Sequence, residues 1–257
     1  MIKIHILGSC SGTEPMPNRH HTSFVIEWND RLYFFDAGEN CAYTSHLMGL
    51  DLMRTRKIVI SHPHMDHIGG LGNLIWTIRK LDGMHHTLKN REIELCIPEI
   101  RVWDGIYQTL RYNDGGFKAD FVVNAHEFED GLLFEDDGIR VSALHTHHLS
   151  HEDGTPWRSF GFLIEVDGKR IVYTGDTKGI DDYEAFLPCD LLLTETGHHH
   201  PTDVAQILID RKQVPPLLAF IHHGRDILNH CEEQTAALDK LLGEQVKVCN
   251  DRDTIIL

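Results

Sequence analysis

The chain has 257 residues, of which 41% are hydrophobic, and its formal net charge at pH 7 is −15. This length suffices for a full hydrophobic core, whereas the negative charge disfavours a long nucleic acid, which requires a basic surface. The N-terminal sequence MIKIHILGSC reads as a strand rather than a signal peptide, and no apolar run reaches the roughly 18 residues of a membrane span. We therefore expect a soluble, cytoplasmic protein that does not contact a membrane.

Segments rich in β-branched and aromatic residues are interleaved with segments of helical periodicity. In chain order, the predicted strands are 2–7, 23–28, 31–36, 57–61, 92–96, 120–123, 139–145, 160–166, 170–174, 190–194, 217–222 and 253–257. The predicted helices are 41–52, 70–81, 98–111, 202–212 and 231–242. Early hairpins followed by alternating strands and helices predict a mixed sheet, or two sheets, covered by helices.

The six cysteines are spread along the chain without a CxxC pair. This spacing gives no support to a disulfide framework or to a cysteine-based zinc site, and it predicts buried, reduced thiols. The 20 histidines are the unusual feature of the composition. Most of them fall in clusters at the ends of predicted segments, where we expect metal chemistry.

The strongest chemical signal is the segment SHPHMDHIGG at 61–70, which follows an apolar strand. Residues two apart share a face of an extended backbone, so His62 and His64 can direct both imidazoles towards one ion. Asp66 and His67 then begin the next turn. Three imidazoles and a carboxylate suit zinc and related divalent metals, and so many ligand-type side chains in so short a segment are hard to assign to packing.

This segment matches the HxHxDH motif of the metallo-β-lactamase superfamily, which the chain resembles over almost its whole length. Segments 7–12, 19–23 and 35–39 look like the opening of the branch that contains ribonuclease Z and small phosphodiesterases. The resemblance implies an α/β (α+β) fold, a four-layer αββα sandwich, in a single metallo-hydrolase domain over 1–257. Within it, the stretch 79–118, with the turn 113–116, is expected to be an elaboration beside the site.

The resemblance also implies three ligands beyond the motif. Asp176, in the TGDT sequence after the strand that ends near Tyr173, is the expected carboxylate that bridges two metals. In isolation this aspartate could equally cap a turn. His222, at the end of the strand 217–222, is the expected last ligand, whereas His223 is expected outside the coordination sphere or at the surface.

The remaining ligand is expected from the histidine cluster between His145 and His151. Counting forward from the preceding strand selects His148. Counting back from the next strand decides nothing, because segment 152–158 looks inserted. His148 is the preferred ligand, with His151 and then His147 as alternatives.

The resemblance therefore implies a centre with two divalent metal ions, Zn²⁺ as the first choice and Mn²⁺ as the second. One ion would bind His62, His64 and His148, and the other Asp66, His67 and His222, with Asp176 between them. Metal coordination lowers the pKa of water from 15.7 to about 7 and so supplies a nucleophile at neutral pH. We count Asp66 among the catalytic residues as well as among the ligands.

A histidine outside the coordination sphere could protonate the departing oxygen. His200 stands directly before the predicted helix 202–212, where the family histidine falls, and is the predicted catalytic residue. His198 and His199 are alternatives for this role, or all three are solvated or capping residues. Glu195 could orient one of them.

The expected activity is hydrolysis of a small or cyclic nucleotide-like phosphodiester. Only 18 residues separate Asp176 from Glu195, which leaves no room for the long tRNA-gripping arm of many ribonuclease Z enzymes. The alternatives are a ribonuclease Z-like tRNA 3′-processing endonuclease, a lactonase or thioesterase, and a non-catalytic metal-binding regulator. A homodimer is expected, because homodimers are common among the enzymes that the chain resembles.

Overall fold

The computed structural model describes residues 1–89, 91–112 and 116–257. The chain forms two compact units. Unit 1 consists of 1–8, 20–128 and 251–257, and unit 2 of 9–19 and 129–250. The predicted single domain over 1–257 stays a prediction, and most of the predicted turn 113–116 lies outside the described residues.

Unit 1 is built on a mixed sheet of seven strands. Their bounds are β1 (Lys3–Gly8), β2 (Ser23–Trp28), β3 (Arg31–Phe35), β4 (Thr55–Val59), β5 (Glu92–Cys96), β6 (Val122–His126) and β14 (Thr254–Ile256). The order across the sheet is β14-β1-β2-β3-β4-β5-β6. The pairs from β14 to β3 are antiparallel and those from β3 to β6 are parallel.

The described helices of unit 1 cover the apolar surface of this sheet. They are α1 (Cys41–Leu47), α2 (Met65–Ile68), α3 (Leu71–His85) and α4 (Ile100–Arg111). Helix α3 buries Leu71, Leu74, Ile75 and Ile78, which recur at the spacing of one helical face. These four side chains belong to the hydrophobic core together with residues of β3, β4 and β5. The core thereby fixes the start of α3, which follows the metal-binding motif directly.

Unit 2 is built on a second mixed sheet of seven strands. Their bounds are β7 (Gly131–Asp136), β8 (Ile139–His145), β9 (Phe160–Val166), β10 (Lys169–Tyr173), β11 (Leu191–Thr196), β12 (Leu217–His223) and β13 (Val246–Val248). The order is β13-β12-β11-β10-β9-β8-β7. The pairs from β7 to β10 are antiparallel, and those from β10 to β13 are parallel.

The described α-helices of unit 2 are α5 (Pro201–Asp210) and α6 (Arg225–Leu242). Proline at the first position favours helix initiation, because its missing N–H has no partner there in any case. Helix α6 is interrupted at His230, whose φ of −136° and ψ of 39° are not helical. The predicted helix 231–242 is the part of α6 after this interruption.

Several sequence-based bounds differ from the structure for local reasons. The predicted helix 41–52 ends at Leu47, because Gly49 takes a positive φ of 73° and Asp51 then caps a short 3₁₀ turn. Strands β7 and β13 were not predicted. The stretch 79–118 contains β5, which pairs with β4 on one side and β6 on the other. Residues 92–96 of this stretch thus belong to the sheet of unit 1, and an elaboration elsewhere in 79–118 stays a prediction.

Chemically active side chains follow the carboxyl ends of parallel strands in each unit, where open α/β sheets bind their ligands. Asp36 follows β3 and His62 lies just beyond β4 in unit 1, whereas Asp176 and His222 lie at the ends of β10 and β12 in unit 2. All six cysteines are free thiols; Cys231 is partly exposed and the others are buried. Within 1–89, 91–112 and 116–257, no helix is both long and apolar enough to cross a membrane.

Candidate metal centre

The loop after β4 brings four predicted ligands of unit 1 together, and we call His62, His64, Asp66 and His67 the loop cluster. His62 Nε2 lies 3.1 Å from His64 Nδ1, and His67 Nε2 lies 3.4 Å from Asp66 Oδ2. His62 and His67 are fully buried, and their ring centroids are 4.0 Å apart. The HxHxDH spacing therefore folds into a compact set of nitrogen and oxygen donors.

Asp36, for which the sequence alone indicates no role, holds Ser61 and His67 of this loop in place. This fully buried carboxylate accepts hydrogen bonds from Ser61 N at 2.7 Å and Ser61 Oγ at 2.8 Å. It also accepts one from His67 Nδ1 at 2.7 Å. Because a carboxylate can only accept, the proton of His67 lies on Nδ1, and Nε2 carries the lone pair on the side of Asp66.

Ser61 orients the imidazole of His62 in the same way. Its single hydroxyl proton is donated to Asp36, so Ser61 Oγ accepts from His62 Nδ1, which lies 3.0 Å away. The lone pair of His62 is thereby placed on Nε2, the nitrogen beside His64. Gly38 allows this packing: a Cβ there would come within 2.6 Å of the backbone of Asp66 and of His21.

A second group of donors lies in unit 2, and we call His148, Asp176, His198 and His222 the Asp176 cluster. Asp176 is 2% exposed, and its two oxygens face different histidines. Oδ1 lies 3.3 Å from His222 Nε2, and Oδ2 lies 3.6 Å from His148 Nε2. A carboxylate with one donor nitrogen beside each oxygen suits the bridging role that the resemblance implies.

The three candidate histidines between β8 and β9 lie in different environments. His148, with a side chain 10% exposed, is the one that faces Asp176. His147 forms a short hydrogen bond through Nδ1 with Asp182 and is 59% exposed. His151 Nε2 donates to the Thr155 carbonyl oxygen at 2.7 Å, and its ring stacks on Trp157. The structure therefore brings His148, and neither alternative, to the Asp176 cluster.

Glu195 is a buried carboxylate that accepts hydrogen bonds from residues of the Asp176 cluster and from the segment after Asp176. Its Oε1 accepts from the backbone N–H of Thr177 at 2.8 Å, and its Oε2 accepts from His198 N at 2.9 Å and Nδ1 at 2.7 Å. The hydrogen bond to Glu195 raises the pKa of His198. Burial opposes ionisation of Glu195, but hydrogen bonds from His198 and His222 outweigh it and lower its pKa. These contacts agree with the predicted role of Glu195 in orienting a histidine.

The predicted catalytic residue His200 lies in a different environment. Its side chain is 67% exposed and pairs through Nδ1 with Asp226, while its backbone caps α5. His198, by contrast, has Nδ1 3.9 Å from Asp176 Oδ2. Of the three histidines before α5, the structure therefore places His198 in the Asp176 cluster. The catalytic role of His200 stays a prediction.

The backbone at the end of β12 takes an unusual conformation at His222. This residue has a φ of 50°, a left-handed conformation that is unusual for a bulky side chain. Gly197 makes room for its ring, because a Cβ at position 197 would lie 2.6 Å from the imidazole. His223 is fully buried, lies 2.7 Å from the Cys249 carbonyl oxygen through Nε2 and packs against Thr196. Burial lowers the pKa of His223 to about 3, so it is a neutral structural residue rather than a surface one.

The donor chemistry of each cluster fits divalent metal ions. Zinc accepts imidazole nitrogen and carboxylate oxygen, and orienting hydrogen bonds of the kind made by Asp36 accompany most metal-binding histidines. In unit 2, Asp176, Glu195, His198 and His222 can offer ligand atoms within 4.8 Å of one another. Both oxygens of Glu195 already accept hydrogen bonds, which favours an orienting role for this residue.

Comparison with known proteins now identifies the family. The family model for Anti-Pycsar protein Apyc1 matches residues 2–194, well over half of the chain. The chain belongs to the Anti-Pycsar protein Apyc1 family. This Apyc1 family member is also 30% identical over 151 residues to ribonuclease Z of Methanothermobacter thermautotrophicus, a match that covers 58% of the chain and 45% of the relative. It therefore spans about half the length of such curated relatives.

Solved structures confirm the fold of this Apyc1 family member. The metallo-β-lactamase fold protein YhfI from Bacillus subtilis has a TM-score of 0.75 at 17% identity, covering 99% of this chain and 98% of that one. The short form of human tRNase Z (ELAC1) has a TM-score of 0.73 at 22% identity, with coverages of 99% and 98%. The predicted α/β, metallo-β-lactamase-like fold class is confirmed. The likeness to ribonuclease Z sequences agrees with the predicted branch.

Proposed function

We propose that the chain is a metal-dependent hydrolase that cleaves a small or cyclic nucleotide-like phosphodiester. The proposed metal ligands are the seven residues that the resemblance implies: His62, His64, Asp66, His67, His148, Asp176 and His222. The donor geometry found within each unit supports this set. We further propose Zn²⁺ as the native ion, two ions per chain, a homodimer and a cytoplasmic location.

The observation that carries the proposal is the arrangement around Asp176. A buried carboxylate with His222 at one oxygen and His148 at the other is what a bridging ligand of a two-ion centre requires. An isolated turn-capping aspartate, the alternative that the sequence left open, would bond to backbone N–H groups instead. Here the backbone N–H that follows Asp176 is taken by Glu195.

Two divalent ions, when bound, supply a hydroxide nucleophile at neutral pH and neutralise charge on the phosphate oxygens. The side chains around the ligands orient the imidazole rings. Asp36 and Ser61 hold protons on Nδ1 of His67 and His62, which leaves each Nε2 as a donor atom. Glu195 holds a proton on His198 Nδ1 and keeps that ring beside Asp176. The departing oxygen needs a proton, for which His200 is the predicted source and His198 the better-placed alternative.

The charge of the chain favours a small diester over tRNA. A protein that grips many phosphates needs a basic surface, whereas this chain carries a net charge of −15. The 18 residues between Asp176 and Glu195 form two short 3₁₀ turns and a strand, without an arm. The likeness to ribonuclease Z sequences nevertheless makes tRNA 3′ processing the second candidate.

The test is turnover by purified protein loaded with Zn²⁺ or Mn²⁺. We expect hydrolysis of small diesters, with little dependence on salt, and no cleavage of precursor tRNA. Steep loss of activity with salt on precursor tRNA would instead support the nuclease. Activity only on lactones or thioesters would support a carbonyl-ester hydrolase, and metal binding without any turnover would support the regulator.

Elemental analysis tests the ligand set separately. We expect about two ions per chain, and we expect Asp176→Ala to lower both metal content and rate, because a shared negative ligand is lost. Asp190→Ala is the matched control, since Asp190 is another aspartate of unit 2 and its carboxylate accepts from Lys169 Nζ and the backbone N–H of Arg170. Full metal content and activity in Asp176→Ala would remove Asp176 from the centre.

A further inference from the structure

Asp182 is a buried carboxylate of unit 2, 5% exposed, that belongs neither to the proposed ligand set nor to the candidate proton donors. It is the last residue of the 3₁₀ turn Ile180–Asp182. Ile180, two residues before it, and Tyr183, directly after it, are buried in a hydrophobic core cluster of unit 2. These neighbours anchor the backbone of Asp182 in the core.

One oxygen of Asp182 joins two segments that are distant in the sequence. Oδ2 accepts from the backbone N–H of Lys178 at 2.8 Å and from that of His147 at 3.2 Å. Lys178 lies two residues after Asp176, and His147 lies directly before His148. Oδ2 therefore links the two segments whose side chains, His148 and Asp176, face each other at 3.6 Å.

The other oxygen of Asp182 has a side chain as its partner. Oδ1 accepts a short hydrogen bond from Nδ1 of His147, whose side chain is 59% exposed. Burial of a carboxylate costs free energy unless hydrogen bonds compensate for the lost water. The three hydrogen bonds that this carboxylate accepts in the described structure all come from the same two segments.

A second link between these segments runs through Thr146. Its fully buried hydroxyl donates to the carbonyl oxygen of Asp176 at 2.7 Å. The backbone of Thr146 is itself held by Ser159, whose carbonyl oxygen accepts from Thr146 N at 2.8 Å and whose Oγ donates to the Thr146 carbonyl oxygen at 2.9 Å. Neither segment can therefore shift against the other without breaking buried hydrogen bonds, which is costly.

We propose that Asp182 is a positioning residue of the metal centre, whose Oδ2 fixes the segment of His148 against that of Asp176 so that both side chains meet one ion. The inference rests on the proposed metal-dependent function, with His148 and Asp176 as ligands, and adds a residue outside the ligand set. A metal site needs donor atoms that are held in place before the ion arrives, and a displacement of about 1 Å weakens it.

Three substitutions separate the two oxygens of Asp182. Asp182→Ala removes both, and we expect it to lower zinc affinity by about 10- to 100-fold, the range for residues that orient metal ligands. Asp182→Asn can keep its oxygen at the position of Oδ2, retain both backbone bonds and lose much less affinity. His147→Ala removes only the bond to Oδ1 and should resemble Asp182→Asn. Competition between the full-length protein and a chromophoric chelator measures the affinity.

Asp190→Ala is the matched control, because the Asp190 carboxylate also accepts from a backbone N–H of unit 2, that of Arg170, and from Lys169 Nζ. Both alanine variants should lower the Tm of the metal-free protein, but only Asp182→Ala should lower zinc affinity. Native affinity in Asp182→Ala, or an equal loss in Asp190→Ala, would overturn the positioning role. An equal loss in Asp182→Asn would overturn its assignment to Oδ2.

Amide hydrogen exchange of the metal-depleted full-length protein separates this inference from the proposed function. Asp182→Ala should speed exchange at the N–H groups of His147 and Lys178, because the carboxylate that protects them is lost. Asp182→Asn should keep the native protection. Absence of zinc binding by the native chain would refute the proposed function, while the exchange rates would still test the link. Unchanged protection in Asp182→Ala would overturn the link itself.

Discussion

Replacement of Asp36 by asparagine is expected to weaken metal binding by about 10- to 100-fold, the range found for residues that orient a metal-binding histidine. Asparagine keeps the shape of the side chain and tolerates the left-handed φ of 57° at this position. Its oxygen can still accept from Ser61 N. Its amide group, however, donates where the carboxylate accepted from Ser61 Oγ and His67 Nδ1.

The magnitude follows from the bonds that are lost. Hydrogen bonds to a charged group contribute about 1.5–3 kcal/mol each, and a tenfold change in affinity corresponds to about 1.4 kcal/mol. Loss of the charged bond to His67, after relaxation of the ring, therefore accounts for about one to two powers of ten. The change falls on the ion that His67 would bind.

Competition with a chromophoric chelator measures this affinity directly. Asp82→Asn is the matched control, because Asp82 is also a buried carboxylate of unit 1 that accepts from a backbone N–H, that of Leu88, and from Arg91. Both variants should lose some thermal stability, but only Asp36→Asn should release zinc. Unchanged zinc affinity in Asp36→Asn, or an equal loss in Asp82→Asn, would refute the role of Asp36.

Two further predictions concern the histidines of unit 2. His148→Ala should lower metal content more than His147→Ala or His151→Ala, because only His148 faces Asp176; elemental analysis of the three variants decides, and the reverse ranking would transfer the ligand role. His198→Ala should lower kcat on a diester with a poor leaving group by about 10²–10⁴-fold and by less on a nitrophenyl diester, whereas His200→Ala should have a smaller effect because that side chain is exposed. A larger loss in His200→Ala with full metal content would support His200 as the proton donor.

Contacts between residues that are close in the sequence were predicted best. The ligands of the loop cluster lie within one short motif, so their proximity follows from backbone geometry alone. The ligand among His147, His148 and His151 is less well determined by the sequence, because the segment that carries Trp157 interrupts the spacing to β9. The structure shows that Trp157 stacks on His145 at 4.1 Å and on His151 at 3.9 Å. These contacts join residues that no short-range periodicity relates.

Contacts between residues that are distant in the sequence account for the other features that were not predicted. Asp36 could not be recognised as the orienting partner of His67, because 31 positions separate them in the sequence. The place directly before the helix favours His200, whereas the hydrogen bond to Glu195 that orients His198 is visible only in the structure. Strand β13 has only three residues and forms through its pairing with β12. Its existence depends on a neighbour and not on its own composition.

The left-handed backbone at Asp36 and His222 has a consequence for protein engineering. Both residues hold a conformation that costs a side chain of ordinary type about 1–3 kcal/mol, and glycine would adopt it without that cost. At Asp36 the loss of the hydrogen bonds from Ser61 and His67 would oppose this gain. A selection for thermal stability alone would therefore accept glycine at His222 sooner than at Asp36. Variants that survive heating best would include some that no longer hold metal, so any stabilisation campaign on this chain needs a metal-retention screen at every round.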